Sequence, residues 1–341
     1  LDSKTQLIAV VKAHAYGIKH SFFAQQLVEL GVDALAVAYT EEGKEIRKQG
    51  VSIPILVFYP QKNTFSELIN ANLEPCLYSK VSLNSFKKEL VNRNIKSYPI
   101  HIKYNTGLNR IGFSPEEVPW VLENLDPSCF KLESVYSHLA VSEEKRPSKL
   151  SNRQIDEFKR IRKLHLEASK IPPKFHLLNS SGVFNYPELQ FDMVRCGIAF
   201  HGYANRKEWD QKLKPVATLK STICQIHHLS KGESVGYDHG WIAPTDCRIA
   251  ILPLGHADGI GRHFGNQKSH VLIHGKMVPI VGNICMDLLM IDVTRIPCHE
   301  GDEVTFFNSK YTASSFASGG GTISYEILTA LGSRIQRVIE N

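Results

Sequence analysis

The stretch LIAVVKAHAYG, residues 7–17, opens with a run of five apolar residues, breaks at Lys12 and closes on a glycine. A short apolar run bounded in this way reads as a strand buried on both faces. Further runs follow at 34–38, 55–58, 75–78, 100–104, 132–138, 174–178 and 192–198, spaced widely enough for an amphipathic helix between most neighbours. Helix-start signals lie in those gaps: Thr40 precedes Glu41 and Glu42, and Ser114 precedes Pro115, Glu116 and Glu117. A hydroxyl cap satisfies first-turn N–H groups, and acidic residues there complement the helix dipole. Eight strands alternating with helices predict an α/β architecture, a parallel sheet closed into a (β/α)8 TIM-like barrel over residues 1–213.

The stretches after the last two strands are too short for full outer helices, and the first strand begins with no element before it. A barrel so built exposes apolar wall, which predicts a natural polypeptide that continues N-terminally, as a helix or as a fused upstream domain. From about residue 214 the rhythm changes. Runs at 217–226, 248–254, 270–273, 277–281 and 303–307 are separated by the turn signals Lys231-Gly232, His274-Gly275 and Gly301-Asp302. They predict a mainly antiparallel β domain over 214–341, with a helix at 324–331 and a mobile loop at the Ser-Gly-Gly-Gly of 318–321.

Composition narrows the function classes. The 341 residues are 43% apolar and 22% charged, and the formal charge of +6 is spread along the chain rather than gathered into a stripe that would track nucleic acid. No apolar run reaches the length of a membrane span. Seven cysteines, widely spaced and never in a CxxC pair, suggest neither a disulfide framework nor a zinc site, and point to a reducing cytoplasmic setting. Fifteen histidines without an HxH or HExxH arrangement, and Asp192, Asp258 and Asp287 not at metal-ligand spacing with any of them, predict no metal.

A barrel of this type places its active site at the C-terminal ends of the strands. Lys12 ends the first strand, and position alone leaves two readings: a surface lysine, or a desolvated amine able to form a Schiff base. The loops after strands seven and eight, where such barrels hold phosphate, carry Asn179-Ser180-Ser181-Gly182 and Arg195-Cys196-Gly197-Ile198. Hydroxyls, a guanidinium and glycine-exposed N–H groups suit an anion, and beside Lys12 they suggest a phosphate-bearing aldehyde cofactor.

Nearly the whole chain then resembles the barrel-fold alanine racemases that use pyridoxal 5'-phosphate. The motifs AVVKAHAYG (9–17), KYNTGLNRIG (103–112), VRCGI (194–198), GESVGY (232–237), GHADGIGR (255–262), IVGNICMD (280–287) and TISYEIL (322–328) match in order and spacing. The resemblance implies that Lys12 carries the cofactor, and that Tyr16, Ser180, Tyr325 and the backbone N–H groups of Gly197 and Ile198 hold its phosphate. Arg195 would face the pyridine nitrogen with His176 behind it. A permanent cation there disfavours protonating the ring, weakens it as an electron sink and suppresses transamination. Lys12 and Tyr237 would be the two bases on opposite faces of Cα, with His138 as the neighbour that assists the phenol. Arg110, oriented by Lys103 as a carbamate, together with Cys285, Met286 and His256, would surround the substrate. By the same resemblance the enzyme is a cytoplasmic homodimer with shared active sites, supplying D-alanine for peptidoglycan.

The sequence departs from the family pattern at His256 and His201, where tyrosine is usual, at Asn105 for aspartate and at Asn109 for glycine. His256 would make a weaker or pH-dependent carboxylate contact, and His201 reads as packing. Two rivals are a barrel-fold amino-acid decarboxylase and a cofactor carrier without catalysis. The first would present an acid to the pyridine nitrogen, against Arg195. The second would be a barrel alone, without the β domain that brings Tyr237.

Overall fold

The structure, a computed structural model, describes residues 1–340. It divides into two compact units. The first comprises Leu1–Ala15, Lys19–Phe200 and Ala204–Lys212; the second takes Tyr16–Ile18, His201–Tyr203 and the chain from Leu213 onward.

In the first unit eight parallel strands close into a barrel in sequence order. They are β1 (Gln6–Val10), β2 (Ala34–Val37), β3 (Ile55–Val57), β4 (Glu74–Leu77), β5 (Tyr98–Lys103), β6 (Phe130–Tyr136), β7 (Lys174–His176) and β8 (Met193–Cys196). Closure is made by β1 against β8, with Ile8 opposite Arg195. The strands are shorter than the apolar runs, so Lys12, Tyr104 and His138 fall just beyond strand ends, where a side chain is free of the ladder. Helices bury the outer face: Lys149–Ala168 turns Ile155, Phe158 and Ile161 inward, while Lys159 and Lys163 face solvent. Thr40 does not cap the helix Thr40–Arg47. The cap is Tyr39, because the Glu42 carboxylate accepts the N–H groups of Ala38 and Tyr39 at 2.7 and 3.2 Å, and Thr40 Oγ1 pairs instead with Thr64.

After β1 the backbone makes a turn that sequence propensity does not foretell. Ala13, His14, Ala15 and Tyr16 all have φ between +50° and +55°. For L-residues each left-handed position costs roughly 1–2 kcal/mol, so the surroundings must hold the turn in place.

In the second unit a seven-stranded sheet has the order β10-β13-β16-β15-β14-β17-β9, with a two-stranded β11–β12 ribbon beside it. Its strands are β9 (Leu219–Thr222), β10 (Gln225–Leu229), β13 (Cys247–Leu252), β14 (His270–Ile273), β15 (Lys276–Val281), β16 (Leu289–Asp292) and β17 (Glu303–Phe307), with β11 (Ser234–Val235) and β12 (Trp241–Ile242) in the ribbon. Its strand pairings are antiparallel. The run at 217–226 is two strands, not one: Ile223 donates to Asp302 and Cys224 to Ile251, so the chain changes neighbours there and β9 and β10 end on opposite edges. The 318–321 segment is not a mobile loop. Ser318 and Gly319 end the helix Ala313–Gly319, which Thr312 caps. A Cβ on Gly319 would lie 2.4 Å from Ser269 Oγ, so only glycine fits that approach. The helix Ser324–Ala330 follows.

Candidate active site

The first unit gathers cations at the C-terminal mouth of the barrel. Lys12 is largely desolvated, and burial, followed by repulsion from Arg110, lowers its pKa, against a smaller opposing pull from Glu42. Lys103, at the end of β5, is 4% exposed. Its pKa falls to about 7, through burial first and then through Arg110 and Arg195. His138 is driven well below its ordinary value by burial and by the same cations, so it is neutral. Such a concentration of positive charge is costly in an empty barrel and becomes favourable around a phosphate or a carboxylate.

Arg195 is buried and nearly saturated. Its Nη1 donates to His176 Nδ1 at 2.6 Å and to the His176 carbonyl at 3.3 Å. Its Nη2 reaches the carbonyls of Ser137 and Leu177 at 2.8 and 2.9 Å, and His138 Nδ1 at 3.3 Å. Among the described residues none accepts from Nε, which leaves one directed donor for an outside acceptor such as a pyridine nitrogen. An arginine fixed this firmly makes a rigid dipole rather than a mobile counter-ion.

A second unspent donor lies on Ser180. Its Oγ accepts the N–H groups of Gly197 at 3.1 Å and Ala199 at 3.4 Å, so its own hydroxyl hydrogen points elsewhere, and no acceptor for it stands among the described residues. The Glu42 carboxylate ties the strained turn down, taking the Ala13 N–H at 2.6 Å with one oxygen and the Ala38 N–H with the other. Arg110 is exposed and sits at the end of a loop organised by Asn105, whose Oδ1 accepts from the N–H groups of Gly107 and Asn109.

In the second unit Tyr16 lies 5.9 Å from Tyr325 and 5.1 Å from His201 between ring centroids. His201 is fully buried, with its pKa lowered to about 4 by desolvation, so it is a neutral ring against the tyrosine. Elsewhere in this unit the 255–262 loop docks on the 280–287 loop. His256 N–H donates to the Cys285 carbonyl at 2.9 Å and Ala257 N–H to that of Met286 at 3.0 Å. A Cβ on Gly255 would stand 2.4 Å from both of those carbonyl oxygens, which explains the glycine. Asn283 adds Tyr237 to the group by donating to its carbonyl at 3.0 Å. The Tyr237 and Met286 side chains are 70% and 59% exposed, unlike the buried barrel groups.

Several organising residues escape a sequence reading. Arg334 clamps Asp258 with Nε and Nη2 and reaches Asp287 at 2.6 Å, assigning both aspartates to structure. Arg337 donates twice to the Gly17 carbonyl, at 3.2 and 2.9 Å. His101, Ser134 and Glu74 carry polar atoms inside the barrel. Two of these leave a signal in the sequence: strand alternation puts His101 on the same face as Lys103, and Ser134 on the same face as Tyr136.

Family models agree with this anatomy. The model described as alanine racemase, N-terminal domain, matches residues 1–205, and that for alanine racemase, C-terminal domain, matches residues 216–339. The alanine racemase of Thermodesulfovibrio yellowstonii is 35% identical over 337 residues, covering 97% of this chain and 89% of its own. A solved alanine racemase from Clostridium difficile 630 superposes with a TM-score of 0.90 at 31% identity, over 98% of this chain and 88% of its own. The alanine racemase of Bartonella henselae, solved with covalently bound pyridoxal phosphate, superposes with a TM-score of 0.88 at 27% identity, over 98% of this chain and 93% of its own. Matched domain by domain and along nearly its full length, the chain belongs to the alanine racemase family.

Proposed function

We propose that this racemase interconverts L- and D-alanine with pyridoxal 5'-phosphate held on Lys12, using Lys12 and Tyr237 as bases on opposite faces of the substrate Cα. The observation that carries the reading is the Arg195 guanidinium: buried, fixed through both terminal nitrogens, with Nε–H left for a ring nitrogen. The bound cofactor would supply an electron sink that acidifies the Cα–H. The protein's residues supply the rest. Lys12, whose lowered pKa makes its proton easier to lose, would hold the cofactor through its amine and take or return a proton at the substrate Cα. The hydroxyl hydrogen of Ser180, with Tyr16, Tyr325 and the Gly197 and Ile198 N–H groups, would bind phosphate. Arg195 would place positive charge at the pyridine nitrogen, disfavouring protonation of the ring and so favouring racemisation over transamination.

Arg110, Met286, Cys285 and His256 would face the substrate carboxylate. Lys103, with its pKa lowered to about 7, has a substantial neutral fraction that is nucleophilic toward CO2; a new C–N bond with loss of a proton would give a carbamate, an anionic partner for Arg110. The exposed Tyr237 and Met286 side chains support a homodimer in which the β domain of one subunit completes the partner's active site. Among the described residues no helix is long and apolar enough to cross a membrane, and a cytoplasmic role supplying D-alanine for peptidoglycan fits that and the free cysteines.

The test follows L-alanine in D2O by proton NMR and chiral chromatography, with wild type and Lys12→Ala. Cα-deuterated D-alanine, abolished by the substitution, is the expected result. L-alanine left unchanged by a cofactor-loaded wild type would overturn the assignment.

A further inference from the structure

Behind Arg195 a chain of hydrogen bonds runs back through the barrel. His176 Nε2 meets Ser134 Oγ at 2.8 Å, Ser134 Oγ meets His101 Nδ1 at 2.7 Å, and His101 Nε2 meets Glu74 Oε2 at 2.8 Å. The first three of these side chains are fully or almost fully buried. Glu74 ends the series in a polar recess at the opposite, N-terminal mouth of the barrel, which Asp33, Lys131, Glu133 and Lys174 also line.

The direction of every link is fixed by chemistry at the two ends. A guanidinium only donates, so His176 Nδ1 accepts, and the ring's proton sits on Nε2. That proton goes to Ser134, whose own hydroxyl then donates to His101 Nδ1. His101 therefore carries its proton on Nε2 and gives it to Glu74, which only accepts when ionised. A doubly protonated His101 would aim a second N–H at Ser134 and leave that buried hydroxyl without an acceptor among the described residues. Burial and the Arg195 charge hold His176 neutral. Burial raises the Glu74 pKa, but the hydrogen bond from His101 and the positive charges of Arg47 and Lys131 bring it below the ordinary value.

We propose that Glu74, His101 and Ser134 are positioning residues that act through His176, fixing both imidazoles in the Nε2–H tautomer and thereby fixing how Arg195 presents Nε to the cofactor. The inference rests on the reading that Arg195 faces the pyridine nitrogen. If the chain is cut, His176 is free to move its proton to Nδ1. It then ceases to accept from Nη1, and the guanidinium loses the bond that sets its rotation. The ring nitrogen is less shielded from protonation, and more turnovers end in transamination, in which the amino group stays on the cofactor and pyruvate is released.

The experiment uses cofactor-loaded enzyme as wild type, Ser134→Ala, Glu74→Leu, Glu74→Gln and Arg195→Gln. Three quantities are read: the imidazole tautomers by 15N NMR of histidine-labelled protein, the kcat and KM for alanine, and the ratio of racemisation to pyruvate release. Ser134→Ala and Glu74→Leu are expected to move His176 away from the pure Nε2–H state. They should lower kcat and the racemisation ratio about tenfold with KM little changed, because a buried donor or acceptor is orphaned without any substrate contact being lost. Glu74→Gln keeps an acceptor and should stay near wild type, which separates hydrogen-bond direction from charge. If Ser134→Ala leaves the His176 tautomer and the ratio as in wild type, the proposal is overturned; it removes one oxygen and carries the test alone should Glu74→Leu not fold. If Arg195→Gln itself leaves the ratio unchanged, the failure lies in the reading of Arg195 at the pyridine nitrogen.

Discussion

Asn105 and Asn109, four residues apart after β5, hydrogen-bond each other through their side-chain amides at 3.0 Å, and Asn105 Oδ1 also takes the Asn109 backbone N–H at 2.9 Å. Asn109 has φ +56°. Two departures from the family motif are thus one feature: asparagine is the side chain that best tolerates a left-handed position where glycine is usual, and the second asparagine holds it there.

It follows that Asn109→Ala should cost roughly 1–2 kcal/mol in urea unfolding, whereas Asn109→Gly should be close to neutral. Because Arg110 is the next residue, the alanine variant should also raise KM for alanine several-fold.

Gly17→Ala is expected to be far more severe. At φ +86° its Cβ would lie 1.9 Å from the Leu328 carbonyl oxygen, a backbone atom that cannot step aside. A loss of at least about 3 kcal/mol in thermal unfolding and the disappearance of cofactor absorbance are the expected readings.

Lys103 makes stability depend on pH with a defined sign. Its folded pKa is about 7 and its ordinary value 10.5, so between these limits the unfolded chain holds a proton that the folded one does not. Stability of the cofactor-free protein should therefore rise with pH from about 7 to 10.5. The penalty is fully present below about 7, where both states are protonated. Lys103→Met should flatten the slope, leaving the part due to Lys12, and stabilise the protein at pH 6 by roughly 3–5 kcal/mol. Added bicarbonate should stabilise wild type and leave Lys103→Met unaffected if the carbamate forms.

Tyr237→Phe should retain cofactor loading and lose two or more orders of magnitude in turnover, the usual contribution of a positioned acid–base group. Full activity in this variant would remove the two-base mechanism.

The barrel was legible because parallel strands buried on both faces are written as unbroken apolar runs, and the chain carries eight of them. The β domain was legible from its turns. What stayed hidden depends on conformation or partners that no local pattern encodes. The run at 217–226 reads as one strand because a change of neighbours at Ile223 and Cys224 leaves no mark on hydrophobicity. Thr40 looks like a cap, but the cap is one residue earlier at Tyr39 and Thr40 Oγ1 pairs with Thr64. Ser-Gly-Gly-Gly looks loose, yet Gly319 is small in order to pack against Ser269. In the site, Lys12, Arg195 and Ser180 announce themselves as charge and hydroxyl at strand ends. Glu74 opens its strand, at the end where stability rather than chemistry is the ordinary expectation, and His101 lies inside its own.

The contact between Arg337 and the Gly17 carbonyl spans 320 positions of the chain. Read as a matter of timing, it means that the turn following Lys12 leaves the ribosome well before the partner that fastens it. Until that arginine arrives, a strained run of left-handed residues lacks one of its fastenings. A half-made barrel therefore holds the turn after Lys12 through the Glu42 carboxylate, and the second fastening comes only with the C-terminal residues.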